Sequence, residues 1–145
     1  MKLEADTRVV VCDGGRYVIY ENHGDIGRLD LRVADSGALD NPATRDQGSD
    51  RPGRYPSPGG QRSSVEQTDW HDTAEQRFID SLADKVSKWA AAEPKHRFVL
   101  IADPRSMGRL RARLPEIPQA RILKSITGDY VHQPVKAVEE LIASA

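Results

Sequence analysis

The stretch Arg97-Phe98-Val99-Leu100-Ile101-Ala102-Asp103-Pro104 decides the fold of this chain. Its apolar run has no polar residue between members, which fits a strand covered on both faces; a half-solvated strand would alternate. Asp103-Pro104 then supplies a helix N-cap followed by proline at the first helical position, where the missing N–H costs nothing. A doubly covered strand running straight into a helix is the building unit of an α/β sheet.

A second such strand is expected at 7–13, where Val9, Val10 and Val11 stand in succession. Asp13-Gly14-Gly15 comes next as a hairpin signal, because glycine accepts positive φ without steric cost. Residues 16–22 read as the returning strand. After His23-Gly24-Asp25, residues 28–34 read as a third, with Leu29, Leu31 and Val33 facing inward between charged neighbours. Working outward in the other direction, Thr68 or Asp69 can cap a helix that runs to about Ala92, with Phe78, Leu82, Val86 and Trp89 forming its apolar stripe. Glu93-Pro94 ends it. The helix after Asp103-Pro104 carries Met107, Leu110 and Leu114 and is broken by Pro115 and Pro118. A fifth strand is expected at 120–126, and a last helix opened by Pro134 with Val135, Val138, Leu141 and Ile142 inward. The order is βββαβαβα. Right-handed crossovers then give an α/β fold with a mixed five-stranded sheet, strand order 3-2-1-4-5, the ribonuclease H-like arrangement.

Composition sets the outer bounds. The chain has 145 residues, 38% hydrophobic and 30% charged, with a net charge of −1. That is a globular composition of one-domain size, and the charge excludes binding to nucleic acid or membrane by bulk electrostatics; a basic contact has to be local. The single cysteine, Cys12, excludes an intrachain disulfide and a cysteine-based zinc site, and reads as a small buried hydrophobe. With no signal-like N-terminus and no apolar run of about 18 residues, no membrane contact is expected and the location expected is cytoplasmic.

Periodicity is lost between about 37 and 67, where Gly, Pro, Ser, Arg and Asp dominate, so a long flexible loop on a single domain (1–145) is expected there. Structureless connections longer than about 12–15 residues are uncommon in compact domains unless functional or disordered. The loop holds Arg45, Arg51, Arg54 and Arg62 against Asp46 and Asp50, a mildly basic arm suited to a phosphate backbone. It also holds Gly59-Gly60-Gln61. Two glycines allow close backbone approach to a ligand, while glutamine offers an N–H to a developing negative charge and an amide to orient water. Such a tripeptide arises by chance in on the order of a few per cent of chains this long, so its weight comes from its position on the long loop.

The sheet order and the tripeptide together resemble the middle, peptidyl-tRNA-hydrolysing domain of the archaeo-eukaryotic peptide release factors. The block Gly48-Ser49-Asp50-Arg51-Pro52-Gly53-Arg54, with Asn41-Pro42 before it and His71, Glu75, Arg77 and Phe78 after it, is similar to the bacterial host attachment protein family, stand-alone relatives of that domain. The resemblance spans nearly the whole chain. It implies Gly59, Gly60 and Gln61 as catalytic residues, the four arginines as RNA contacts, a ribosome or tRNA as partner, and neither metal nor cofactor. The family name implies a link to host-cell attachment. Two departures bear on this expectation. In 145 residues no room is expected for the separate domain with which release factors read a stop codon, and Val138-Glu139-Glu140-Leu141-Ile142-Ala143-Ser144-Ala145 contains no basic residue. They motivate an alternative, a non-enzymatic adaptor whose long loop binds a protein or RNA partner.

Competing constellations are weaker. A two-metal nuclease needs converging carboxylates, and Asp13, Glu75 and Asp103 are the plausible set, each with an ordinary reading as turn, helix face or N-cap. His71 and Glu75, one helical turn apart, lack a third ligand at informative spacing. His23, His96 and His132 read as surface histidines, and Trp70 and Trp89 as core or staple residues. Ser57, Ser63 and Ser64 have no evident His/Asp partners, and no Walker or dinucleotide fingerprint is present.

Overall fold

The computed structural model describes residues 1–39 and 59–145, with backbone alone for 59–69 and for Ile117. Five strands, β1 (Arg8–Cys12), β2 (Arg16–Asn22), β3 (Leu31–Ala38), β4 (Phe98–Ala102) and β5 (Ile122–Thr127), form one sheet in the order β3-β2-β1-β4-β5. β1 runs antiparallel to β2 and parallel to β4, and β4 runs parallel to β5. The mixed topology expected from the buried apolar runs is therefore the observed one. Among the described residues four helices accompany it: α1 (Gly59–Ala92), α2 (Pro104–Arg113), α3 (Glu116–Ala120) and α4 (Val135–Ser144).

Alternation along the strands divides the core in two. Val10, Cys12, Ile19 and Leu100 face α1 and α2, meeting Ile79, Leu82, Val86 and Leu110. Val9, Val11, Val99 and Ile101 face the opposite way, against Leu3, Val131 and the α4 residues Val138 and Ile142. Because both faces are covered, β1 and β4 tolerate no polar alternation, which is why their sequences read as continuous apolar runs. The N-terminal ammonium of Met1 donates to the carbonyls of Ile142 (3.0 Å) and Ala145 (2.8 Å), satisfying the exposed end of α4 and complementing its dipole.

Several expected details are corrected. β3 begins at Leu31 rather than 28, because Asp25 and Arg28 exchange backbone hydrogen bonds in a small turn of their own. Buried Asn22 fixes that excursion: its Oδ1 accepts from the N–H groups of Gly24 and Asp30, both at 3.0 Å. Val33 is 61% exposed rather than inward. Helix α4 covers the edge at Leu31, whose N–H donates to Glu139 Oε2 (2.9 Å), and leaves Val33 in solvent. Val135 is 37% exposed, since a first-turn residue has packing neighbours on one side only. The apolar stripe of α1 centres on Ile79, Leu82, Ala83, Val86 and Ala90, with Phe78 and Trp89 at its half-buried margins. Trp70 is exposed at 53%, not a core residue. The break expected at Pro115 is observed, since α2 ends at Arg113 with Leu114 as its C-cap; what the sequence did not suggest is the short α3 that follows, with Pro115 at its N-cap and Pro118 inside its first turn, where no intrahelical N–H is required.

The largest difference concerns α1. It starts at Gly59, well before Thr68, and runs for 34 residues, about 50 Å. Pro58 is the last proline before it, so the helix opens just past the final residue that would break it. Glycine is poor in a helix interior but tolerated at its edge, which is why the pair reads as loop in the sequence. The rest of the expected loop, residues 40–58, lies outside the described residues.

Candidate functional site

Gly59, Gly60, Gln61 and Arg62 form the first turn of α1, while Arg45, Arg51 and Arg54 lie outside the described residues. The opening of a helix presents backbone N–H groups without intrahelical partners and the positive end of its dipole. From that turn α1 runs toward the sheet, and at 1.5 Å per residue Glu75 stands about 24 Å along it from Gly59.

There a cleft opens at the carboxyl ends of β1 and β4. Its volume of about 540 Å³ is lined by residues from four segments: the Asp13–Arg16 turn, α1, the start of α2, and the loop carrying His132. The three carboxylates Asp13, Glu75 and Asp103 all line it. Asp13 Oδ1 accepts from the Gly15 N–H (2.8 Å), and its Oδ2 stands 3.7 Å from His132 Nε2. Glu75 Oε1 is 3.6 Å from His71 Nε2 across one helical turn. Its other oxygen packs so closely on the turn that a Cβ at Gly14 would collide with it. Asp103 caps α2 as the sequence suggests, Oδ2 accepting from the Ser106 N–H at 3.1 Å. Its Oδ1 is buried with no hydrogen-bond partner. Among the described residues, no three His, Cys, Asp or Glu side chains converge closely enough to hold a metal ion.

The cations of the cleft are not among the residues singled out from the sequence. Arg105 and Arg109, at i and i+4 on one face of α2, both donate to Asp72 Oδ1 of α1, Arg109 at 2.6 Å. Hydrogen bonding from Arg109, helped by the Arg105 charge, holds the Asp72 carboxyl below the usual carboxylate range. The legible signal was the i, i+4 arginine pair directly after an N-cap on a buried strand. Behind the cleft, Cys12 is buried at 2% exposure, as expected of a small hydrophobe. Burial first, then the negative charges of Asp103 and Asp13, push its thiol up to about 12, which disfavours the thiolate.

His23 and His132 are exposed and His96 is partly so, its Nδ1 lying 3.3 Å from the Trp89 carbonyl. Trp89 lies under the Arg8 guanidinium, 4.6 Å from ring centroid to carbon. Among the described residues, no helix is long and apolar enough to cross a membrane.

A mixed five-stranded sheet of this order, covered by helices on both faces, defines an α/β protein of the ribonuclease H-like or release-factor middle-domain-like arrangement. The profile of the bacterial archaeo-eukaryotic release factor family 12 matches residues 6–142, and the chain belongs to that family. Among curated proteins, none matches the chain.

Proposed function

We propose that this protein is a release-factor-like hydrolase that acts on the ester of peptidyl-tRNA through Gly59-Gly60-Gln61. The observation that carries the reading is the coincidence of family and position: the tripeptide opens the longest helix of a release-factor-family chain. The chemistry asked of it is modest. Water attacks the ester carbonyl, the C–O bond to the tRNA breaks, and the proton lost by water ends on the released ribose oxygen. Gln61 orients the water through its side-chain amide, and the glycines let the backbone approach the ester. Backbone N–H groups of the first helical turn favour the negative charge developing on the carbonyl oxygen. On this reading Arg45, Arg51, Arg54 and Arg62 contact RNA phosphates, and the protein works in the cytoplasm beside the ribosome.

The test is peptide release from ribosomes loaded with peptidyl-tRNA, with free peptidyl-tRNA as a second substrate. Release by wild type and its loss by about 100-fold or more in Gln61→Ala, the scale of removing one transition-state donor, is the expected result. Equal release by both proteins would end the catalytic role. No release by folded wild type in excess would favour the adaptor, whose signature is loss of partner capture when residues 41–64 are deleted.

A further inference from the structure

The cleft at the ends of β1 and β4 is a separate matter from the helix tip, and its chemistry is specific enough to read. In open α/β sheets, ligands collect outside the carboxyl ends of the strands, where adjacent connections diverge. Here the chain leaves β1 through a hairpin toward β2 and leaves β4 into α2, so the two connections part company above adjacent parallel strands. The resulting space, about 540 Å³, is within the range of small-molecule sites.

Its lining excludes the simplest ligands. Every large side chain on it is charged or an imidazole: Arg16, Arg105 and Arg109 against Asp13, Glu75 and Asp103, with His71 and His132 between. Burying an apolar molecule here would strip these charges of water with nothing to replace it. A bare anion meets three carboxylates, and a bare cation meets three guanidinium groups. The cleft suits a ligand that is anionic at one end and rich in hydrogen-bond donors at the other. Its acceptors are ready: Asp103 Oδ1 is buried without a partner, and Asp13 Oδ2 and Glu75 Oε1 face imidazoles only at 3.7 and 3.6 Å. Its donors are forked: Arg109 gives Nη2 to Asp72, and a guanidinium carries five N–H groups in all. Glycine at 14 is what lets Glu75 lie flat on the turn and keeps the cleft open.

We propose that this cleft binds a ribonucleotide, its phosphate on Arg16 and Arg109 and its ribose hydroxyls on the carboxylates, as a site distinct from Gly59-Gly60-Gln61. The same chemistry arrives on a free mononucleotide or on the end of an RNA strand.

Amide shifts of ¹⁵N-labelled full-length protein, titrated with AMP, inorganic phosphate, a short single-stranded RNA and its DNA counterpart, test the proposal. Gly14, Gly15, Arg16 and Ser106 are expected to move with AMP and RNA, with phosphate alone and DNA each weaker by about tenfold. Arg16→Ala, at the exposed first residue of β2, and Glu75→Gln, which keeps the packing on Gly14, should each weaken binding about tenfold, the usual scale of a charge-assisted hydrogen bond. Gln61→Ala should bind like wild type, which separates this site from the hydrolase reading. Equal affinity for AMP and RNA would assign the ligand to free nucleotide, and tighter RNA binding to a strand end; either supports the site. Phosphate binding as tightly as AMP would overturn the ribose assignment. No movement of these amides at millimolar AMP and saturating RNA, or unchanged binding in both variants, would overturn the site.

Discussion

Two regions of one sheet are held by different forces. In the centre, Val9 to Cys12 of β1 and Phe98 to Ala102 of β4 are all 2% exposed or less, and their contacts are apolar on both faces. At the edge, β3 buries Leu31 but leaves Val33 at 61% exposure. It is fastened instead by a polar clamp. Lys85 of α1 donates to the Tyr17 hydroxyl (2.7 Å) and to Asp35 Oδ2 (2.9 Å), and the Tyr17 hydroxyl donates to Asp35 at 3.1 Å. An edge strand dressed in Arg32, Asp35 and Ser36 also offers little to a passing strand, which protects it from unwanted pairing. Apolar burial fixes where the sheet sits, and directional bonds fix where its rim lies.

The difference predicts a wide gap between two truncations. Leu100→Ala removes side-chain volume from a site with no exposure and is expected to cost about 2–5 kcal/mol. Val33→Ala on the edge should stay within about 0.5 kcal/mol. Urea unfolding midpoints for the two variants against wild type measure the gap, and similar costs would dissolve the distinction between centre and rim.

A second substitution probes whether the edge is as permissive as its exposure suggests. Gly37 pairs with Tyr17 across β2 and β3, and a Cβ there would lie 2.7 Å from the Tyr17 ring. The ring cannot easily yield, because Tyr17 is 6% exposed and its hydroxyl is held by Lys85. Gly37→Ala should therefore cost about 1–3 kcal/mol, the scale of overpacking, despite its place on an outer strand. A neutral or stabilising result would mean that the ring shifts freely and the clamp does not fix it.

The central strands were legible because burial on both faces leaves a mark in the sequence itself, the runs around Val10 and Leu100. The caps were legible too: Asp103 before Pro104 does what an N-cap does. Legibility failed where position depends on a partner far along the chain. Val33 alternates like a core residue, yet whether a helix covers it is decided by α4, more than 100 residues later. Arg105 and Arg109 carry no local mark of a partner, since Asp72 reaches them from α1. The carboxylates Asp13, Glu75 and Asp103 are visible one by one in the sequence, but their meeting in one cleft is a consequence of the strand order. Gly59 and Gly60 failed for the opposite reason: their local signal says loop, and the helix that begins there is decided by the helix-forming residues after them.

A smaller effect than that of Gly37→Ala is expected from the substitution that tests the clamp by its charge. The Asp35 carboxyl is held below the usual carboxylate range, first by the hydrogen bond from Lys85, while the Lys85 ammonium is raised by its bonds to Tyr17 and Asp35. A depressed carboxylate contributes stability above its unfolded pKa, about 3.9, and that contribution fades as pH falls through the lower folded value. A raised lysine contributes below its unfolded pKa, about 10.4, and loses it as pH rises through the higher folded value. Asp35→Asn should therefore differ from wild type by a constant amount between roughly pH 5 and 9, with the difference shrinking on either side. Because Lys85 is 45% exposed and Asp35 33%, screening holds that amount under about 1 kcal/mol, and added salt should reduce it further. Thermal midpoints of the two proteins across pH measure it. A difference that persists unchanged at pH 2 would show that Asn disturbs packing around Tyr17 rather than removing a charge, and the rim would then be held by shape, as the centre is.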